Sequence, residues 1–171
     1  DDPHTQNELI AINNATSGAI TFNDAGVKLS GSVADVGAAL AGVADYTGEV
    51  DITDNASDIS ATAVTAIADA TNKTPVITQK PNIKGDSADV VTALGKITNT
   101  GNANIKLDDN HNLDQLVSIS SETSGSITLK SDAVALTGSA DNLKTALDKI
   151  TNYSGTVTIN NEKDTEIPVA T

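Results

Sequence analysis

The sequence predicts an α/β fold: a right-handed β/α repeat solenoid with a mainly parallel sheet, in three double units of about 53 residues. Three observations lead there. Long phrases recur at a fixed interval. Within each phrase, helix spacing gives way to strand alternation. The apolar residues are almost all aliphatic and small, with aromatics at 2 % (Phe22, Tyr46, Tyr153), which suits thin layers better than a bulky centre.

The repeat has two interleaved phrases. "AALAGVADYTGEVDIT" places Leu40 in register with Leu94 and Leu147, and each copy continues to a glycine: Gly48, Gly101, Gly155. "ELIAINNATSGAITF" matches "QLVSISSETSGSITL": Leu9 with Leu116, Ile12 with Ile119, Gly18 with Gly125, Ile20 with Ile127. These four pairs share one constant offset, the length of two double units. A weaker middle copy, Ala63–Thr78, puts Ile67 in the place of Ile12. The chain thus reads as a single repeat domain, 1–171, with units at about 1–53, 54–107 and 108–159 and a C-terminal tail or cap at 160–171. Each double unit holds two halves of about 27 residues.

Helical spacing (i, i+4, i+7) joins Val36, Leu40 and Val43, then Val90, Leu94 and Ile97, then Leu143, Leu147 and Ile150. Ser32, Ser87 and Ser139 precede these stripes and are expected to cap the helices. The glycines that follow are expected at left-handed helix ends, where a Cβ would clash. Beyond them Val50/Ile52, Ile105/Leu107 and Val157/Ile159 alternate as strands do. Short apolar stretches at Val27/Leu29, Ile83 and Val134/Leu136 read as further strands. Helices between successive strands imply right-handed crossovers and parallel pairing.

Composition excludes several functions. There is no Cys, so no disulfide, thiolate metal site or Cys nucleophile is available. The basic residues number 10, all Lys, against 23 acidic ones, a net charge of −13. Such a chain is a poor partner for nucleic acid or anionic membranes. No apolar run approaches the ~18 residues of a membrane span, so no membrane insertion is expected. With no Met in the chain, a processed product or a fragment is expected.

The phrases "ELIAINNATSGAIT", "LSGSVADVGAALAGVADYTGEVDIT" and "LTGSADNLKTALDKITNYSGTVTI" resemble tandem units of very large, acidic, Cys-free secreted bacterial surface proteins. They are similar to repeats of the giant surface protein needed for swimming in marine cyanobacteria. The resemblance runs from Leu9 to Ile159 and implies an extracellular or cell-surface role, structural or adhesive. It brings no functional residues with it.

The densest polar cluster is "LDDNHNLDQ", with Asp108, Asp109, Asn110, Asn112 and Asp114; related corners hold Asp54, Asn55 and Asp58, and Asn160, Asn161, Glu162 and Asp164. Ca²⁺ takes six to eight oxygens of these kinds, so Asp108, Asp109, Asn110, Asn112, Asp114, Asp54 and Asp58 are candidate ligands. The same residue types cap helices, and capping is the preferred reading of the cluster, with Ca²⁺ second. His4 and His111, the only imidazoles, read as solvated loop residues. No Ser/His/Asp phrase or G-x-S-x-G elbow is present, so no enzyme activity is expected. Four N-x-S/T sequons occur, at Asn14, Asn55, Asn72 and Asn152.

The expected function is therefore a non-enzymatic structural or adhesive repeat, self-associating end to end and Ca²⁺-stabilised. Its partners would be copies of itself, neighbouring repeats or surface glycans. The alternative is a ligand-binding module for glycan or ice. It would use the sheet face that carries Glu49, Asp51, Thr53, Thr156 and Thr158, with Thr21, Thr128 and Lys106. The tail, with Ile167 and Val169 flanking Pro168, would cap the fold or pair with the next subunit.

Overall fold

The computed structural model describes residues 4–22 and 26–160. In these, six helices alternate with parallel strands in a mixed α/β arrangement. The order is α1 (Gln6–Ala15), β1 (Leu29–Gly31), α2 (Val33–Leu40), β2 (Val50–Ile52), β3 (Asp58–Ser60), α3 (Ala61–Asp69), β4 (Val76–Ile77) and β5 (Asn82–Gly85). It continues with α4 (Ser87–Leu94), β6 (Thr98–Asn99), β7 (Asn104–Leu107), α5 (Leu113–Glu122), β8 (Ile127–Thr128), β9 (Leu136–Gly138), α6 (Ala140–Leu147) and β10 (Val157–Ile159). The helix starts, from Gln6 through Val33, Ala61, Ser87 and Leu113 to Ala140, keep the half-unit rhythm read from the repeat.

All ladders are parallel, in orders β1-β2-β4-β6, β3-β5-β7-β8 and β9-β10. Partners lie slightly less than one half-unit apart in sequence: Leu29↔Val50, Asp51↔Val76, Ile83↔Ile105, Ile105↔Ile127, Leu136↔Val157. Each helix packs on the next in sequence, from α1·α2 through α5·α6. Because ladder partners recur sooner than helices do, a ladder shifts its place relative to the helices along the sequence. Thus Ile59, just before α3, leads through Ile83, Ile105 and Ile127 to Ile150, just after α6.

The core is the thin layer between helices and strands. Inward helix residues such as Val36, Val64, Val90 and Leu116 meet inward strand residues such as Ile52, Ile77, Ile83 and Ile105, and all eight are fully buried. Ala39, Ala61, Ala93 and Ala146, also fully buried, let the layers approach closely.

Three local expectations need correction. Val43, Ile97 and Ile150 lie past the helix ends at Leu40, Leu94 and Leu147. Val43 and Ile150 instead make parallel bridges to Ile20 and Ile127, so the chain has already turned into the sheet layer. Ser32 and Ser139 do cap α2 and α6, accepting from Asp35 N and Asn142 N. Ser87 does not cap α4: Asp86 occupies the N-cap, and Ser87 is the first, fully buried helical residue.

The third correction concerns the glycines. Gly42 is the glycine with positive φ (71°) among the described residues, so Gly48, Gly101 and Gly155 are not left-handed caps. They are contact glycines. A Cβ on Gly48 would sit 2.2 Å from Val27 O, on Gly101 1.7 Å from Gln79 O, and on Gly155 2.2 Å from Val134 O. In each case the backbone of the preceding turn touches the glycine, and a side chain would hold the two turns apart. Of the predicted tail at 160–171, residues 161–171, with Ile167, Pro168 and Val169, lie outside the described residues.

Candidate functional site

The acidic corners come to lie over helix N-termini. The four leading N–H groups of a helix have no intrahelical acceptor, and carboxylates satisfy them well. Val33 N donates to Asp54 Oδ2 at 2.6 Å, one turn onward, at the start of α2. Ser87 N and Oγ donate to Asp109 Oδ1 and Oδ2 at 2.8 and 3.1 Å, again one turn onward, at the start of α4. Asn112 caps α5 in a reciprocal box with Gln115, at 2.9 Å in each direction. Asp114 stands in the first turn of α5, and Asn110 is exposed beside His111.

Asp58 and Asp108 face the sheet side. Asp58 accepts from Lys106 Nζ at 2.6 Å and from Asn82 Nδ2 at 2.8 Å. The Lys106 contact, then the Asn82 amide, hold its carboxyl below the ordinary value. Asp108 sits 3.7 Å from Lys84 Nζ. The two carboxylates line one shallow groove of about 360 Å³ together with Lys84, Asp86 and Asp89. Asp54 and Asp109 belong to the helix ends instead. Among the described residues no three His, Asp or Glu side chains converge as a metal-binding group. In the third corner Asn160 is exposed, while Asn161, Glu162 and Asp164 lie outside the described residues.

The outer sheet face carries a side-chain ladder. Asn82 Nδ2 donates to Asp58 Oδ1, Asn104 Nδ2 to Asn82 Oδ1 at 3.2 Å, and Ser126 N and Oγ to Asn104 Oδ1 at 3.1 Å. The neighbouring strands β3, β5, β7 and β8 are thus tied by polar groups, at or beside each strand, as well as by backbone pairing. The Thr-rich face read from sequence is present in part: Thr21, Thr53, Thr128, Thr156 and Thr158 are exposed. Lys28 crosses it to Asp51 at 2.6 Å. Such exposed pairs contribute little stability, ~0–1 kcal/mol each. A second open groove of about 540 Å³ is lined by Ser126, Thr128, Lys130, Asp132 and Thr151.

The histidines depart from expectation. His4 Nε2 lies 3.2 Å from the Tyr46 hydroxyl, which donates its own proton to Val27 O at 2.5 Å; His4 is therefore the donor in this pair. His111 is buried, 4 % exposed, and neither ring nitrogen has a hydrogen-bond partner among the described residues. Its ring stands 6.2 Å from that of Tyr153, whose hydroxyl donates to Val134 O. Burial pushes the His111 imidazole below its ordinary value, with Asp109 opposing. His4, Val27 and Tyr46 map onto His111, Val134 and Tyr153 at the same offset that relates Leu9 to Leu116. That offset was the signal that could have placed both histidines against tyrosines.

All four sequon asparagines, Asn14, Asn55, Asn72 and Asn152, are exposed. No helix among the described residues is long and apolar enough to cross a membrane. No family model, curated protein or solved structure matches the chain.

Proposed function

We propose that the chain is a β/α solenoid segment with a structural or adhesive, non-enzymatic role at the cell exterior. One observation supports this reading: each helix packs on the next in sequence, and strands pair in parallel with strands about one half-unit away, so the polar features follow the repeat rather than gathering round one centre. The stack presents long, repetitive faces, the form suited to spanning distance or adhering at many weak points. The acidic, Cys-free composition and exposed Asn-rich loops fit an extracellular setting.

Ca²⁺ stabilisation belongs to the same reading. The support for it is the groove lined by Asp58, Asp86, Asp89 and Asp108, which spreads carboxylates from separate elements along one opening. The experiment is adhesion of beads coated with the chain to bacterial cells and to a glycan array, with Ca²⁺ or with EDTA. Thermal melts are run alongside. Retention on cells and a Tm raised by millimolar Ca²⁺ are expected. An unchanged Tm removes the metal, and no retention on any surface removes the adhesive role. Selective capture of one glycan would favour the second reading, a ligand-binding module, for which the Ser126–Thr151 groove is the specific support.

A further inference from the structure

Three large apolar side chains stand exposed in the described chain: Ile12 at 47 %, Val157 at 41 % and Ile159 at 57 %. They are not scattered. Ile12 is on the first helix, and Val157 and Ile159 are on the last strand. Each has an internal counterpart, two double units away in sequence, that is buried: Ile119 at 0 %, Val50 at 1 % and Ile52 at 0 %.

The difference is the neighbour. Helix α5, which carries Ile119, packs between α4 and α6, while α1 packs on α2. Strand β2, which carries Val50 and Ile52, pairs on both sides, while β10 pairs with β9 alone among the described strands. The glycines repeat the pattern. A Cβ on Gly125 would lie 2.3 Å from Ala103 O, whereas on its counterpart Gly18 it would meet Thr16 Oγ1 at 3.4 Å and nothing nearer among the described residues.

From this geometry we infer that the two ends bind each other: a second copy of the chain stacks head to tail, its α1 on α6 and its first strand segment on β10. The register follows from the internal template. Ile105↔Ile127 and Lys106↔Thr128 join the fourth and fifth turns. Val157 and Thr158 correspond to Ile105 and Lys106, and Ile20 and Thr21 are the first-unit counterparts of Ile127 and Thr128. Val157 therefore pairs with Ile20 of the second copy, and Thr158 with Thr21. Ile12 becomes covered as Ile119 is, and Gly18 meets backbone as Gly125 does. The contact uses a different surface on each copy, so it propagates into a filament rather than closing as a dimer. A charge of −13 on each copy opposes it, so salt favours it. This inference rests on the stacked arrangement proposed above.

The test is sedimentation velocity of the full chain over rising concentration at 0.05 and 0.5 M NaCl (roughly 14 and 4 Å of screening length). Growth to species beyond a dimer is expected, stronger at high salt. Gly18→Val and Ile159→Lys are expected to stay monomeric while keeping the wild-type circular dichroism and Tm. Wild type that stays monomeric throughout overturns the docking, as does assembly of Gly18→Val at wild-type strength. If the full chain is monomeric but Ile167→Asp/Val169→Asp assembles, the tail covers the last strand and the proposal fails. If the wild type stays monomeric at every concentration, a distance of about 40–50 Å between its first and sixth helices, five steps of 8–10 Å, means that the docking fails while the stack stands. A short separation refutes the stack itself.

Discussion

Gly101→Ala is expected to destabilise the protein by about 3 kcal/mol, near the top of the range for overpacking. The added Cβ would lie 1.7 Å from Gln79 O, 2.4 Å from its carbonyl carbon and 2.7 Å from its nitrogen. All three are backbone atoms, so no rotamer change relieves the clash. The two turns must separate, which strains Gly101 N→Ile77 O at 2.9 Å and Thr98 N→Pro75 O at 2.8 Å. Gly37 is the matched control. It lies within α2, and a Cβ there meets nothing within 4 Å. Gly37→Ala should stabilise by up to about 1 kcal/mol through helix propensity alone. Urea midpoints at unchanged m-value measure both. A tolerated Gly101→Ala would mean that the turns do not touch there.

The second large effect is expected in acid. The His111 imidazole has its folded pKa depressed, chiefly by burial. As pH falls, the unfolded chain takes up this proton first, at an ordinary value near 6.5. The contribution of neutral His111 is therefore fully present above about pH 6.5. It is lost as pH falls below that, by at most ~1.4 kcal/mol per pH unit. Asp109 moderates the loss by favouring the charged ring. Between pH 7 and pH 5 the urea midpoint should fall, before ordinary carboxylates titrate. His111→Leu should flatten this window and, by removing two unpartnered nitrogens, raise stability at pH 5. An equal slope in the variant would place the acid sensitivity elsewhere.

How much of this was readable from sequence differs by kind of residue. The alternating pairs Val50/Ile52 and Ile105/Leu107 and the stripe Val36/Leu40 are local signals, and they became β2, β7 and α2. Helix ends were overrun because Val43, Ile97 and Ile150 keep the helical spacing by coincidence while lying past the last helical residue, Val43 and Ile150 already bridged within the sheet layer. The glycines were misassigned because two different needs select Gly. A left-handed φ and a close backbone approach look alike in one dimension. Ser87 looked like a cap because its true partner, Asp109, is one turn onward and adjacent only once the register is known. The corners were legible as polar and as capping residues, but not which helix each would cap. Asp54 and Asp109 serve the preceding turn, not the helix that follows them. The His–Tyr pairs were legible in principle, since both obey the repeat offset.

The central claim is that the six helices stand in single file, and a distance between the first and last tests it most directly. The chain has no Cys, so Asn7→Cys in α1 and Lys144→Cys in α6 would be the sole labelling sites. Pulsed electron–electron double resonance on the spin-labelled, dilute protein should give one main distance of about 40–50 Å, five interhelical steps of 8–10 Å. A main distance of about 10–20 Å, one or two such steps, would put α1 beside α6 and contradict the stack.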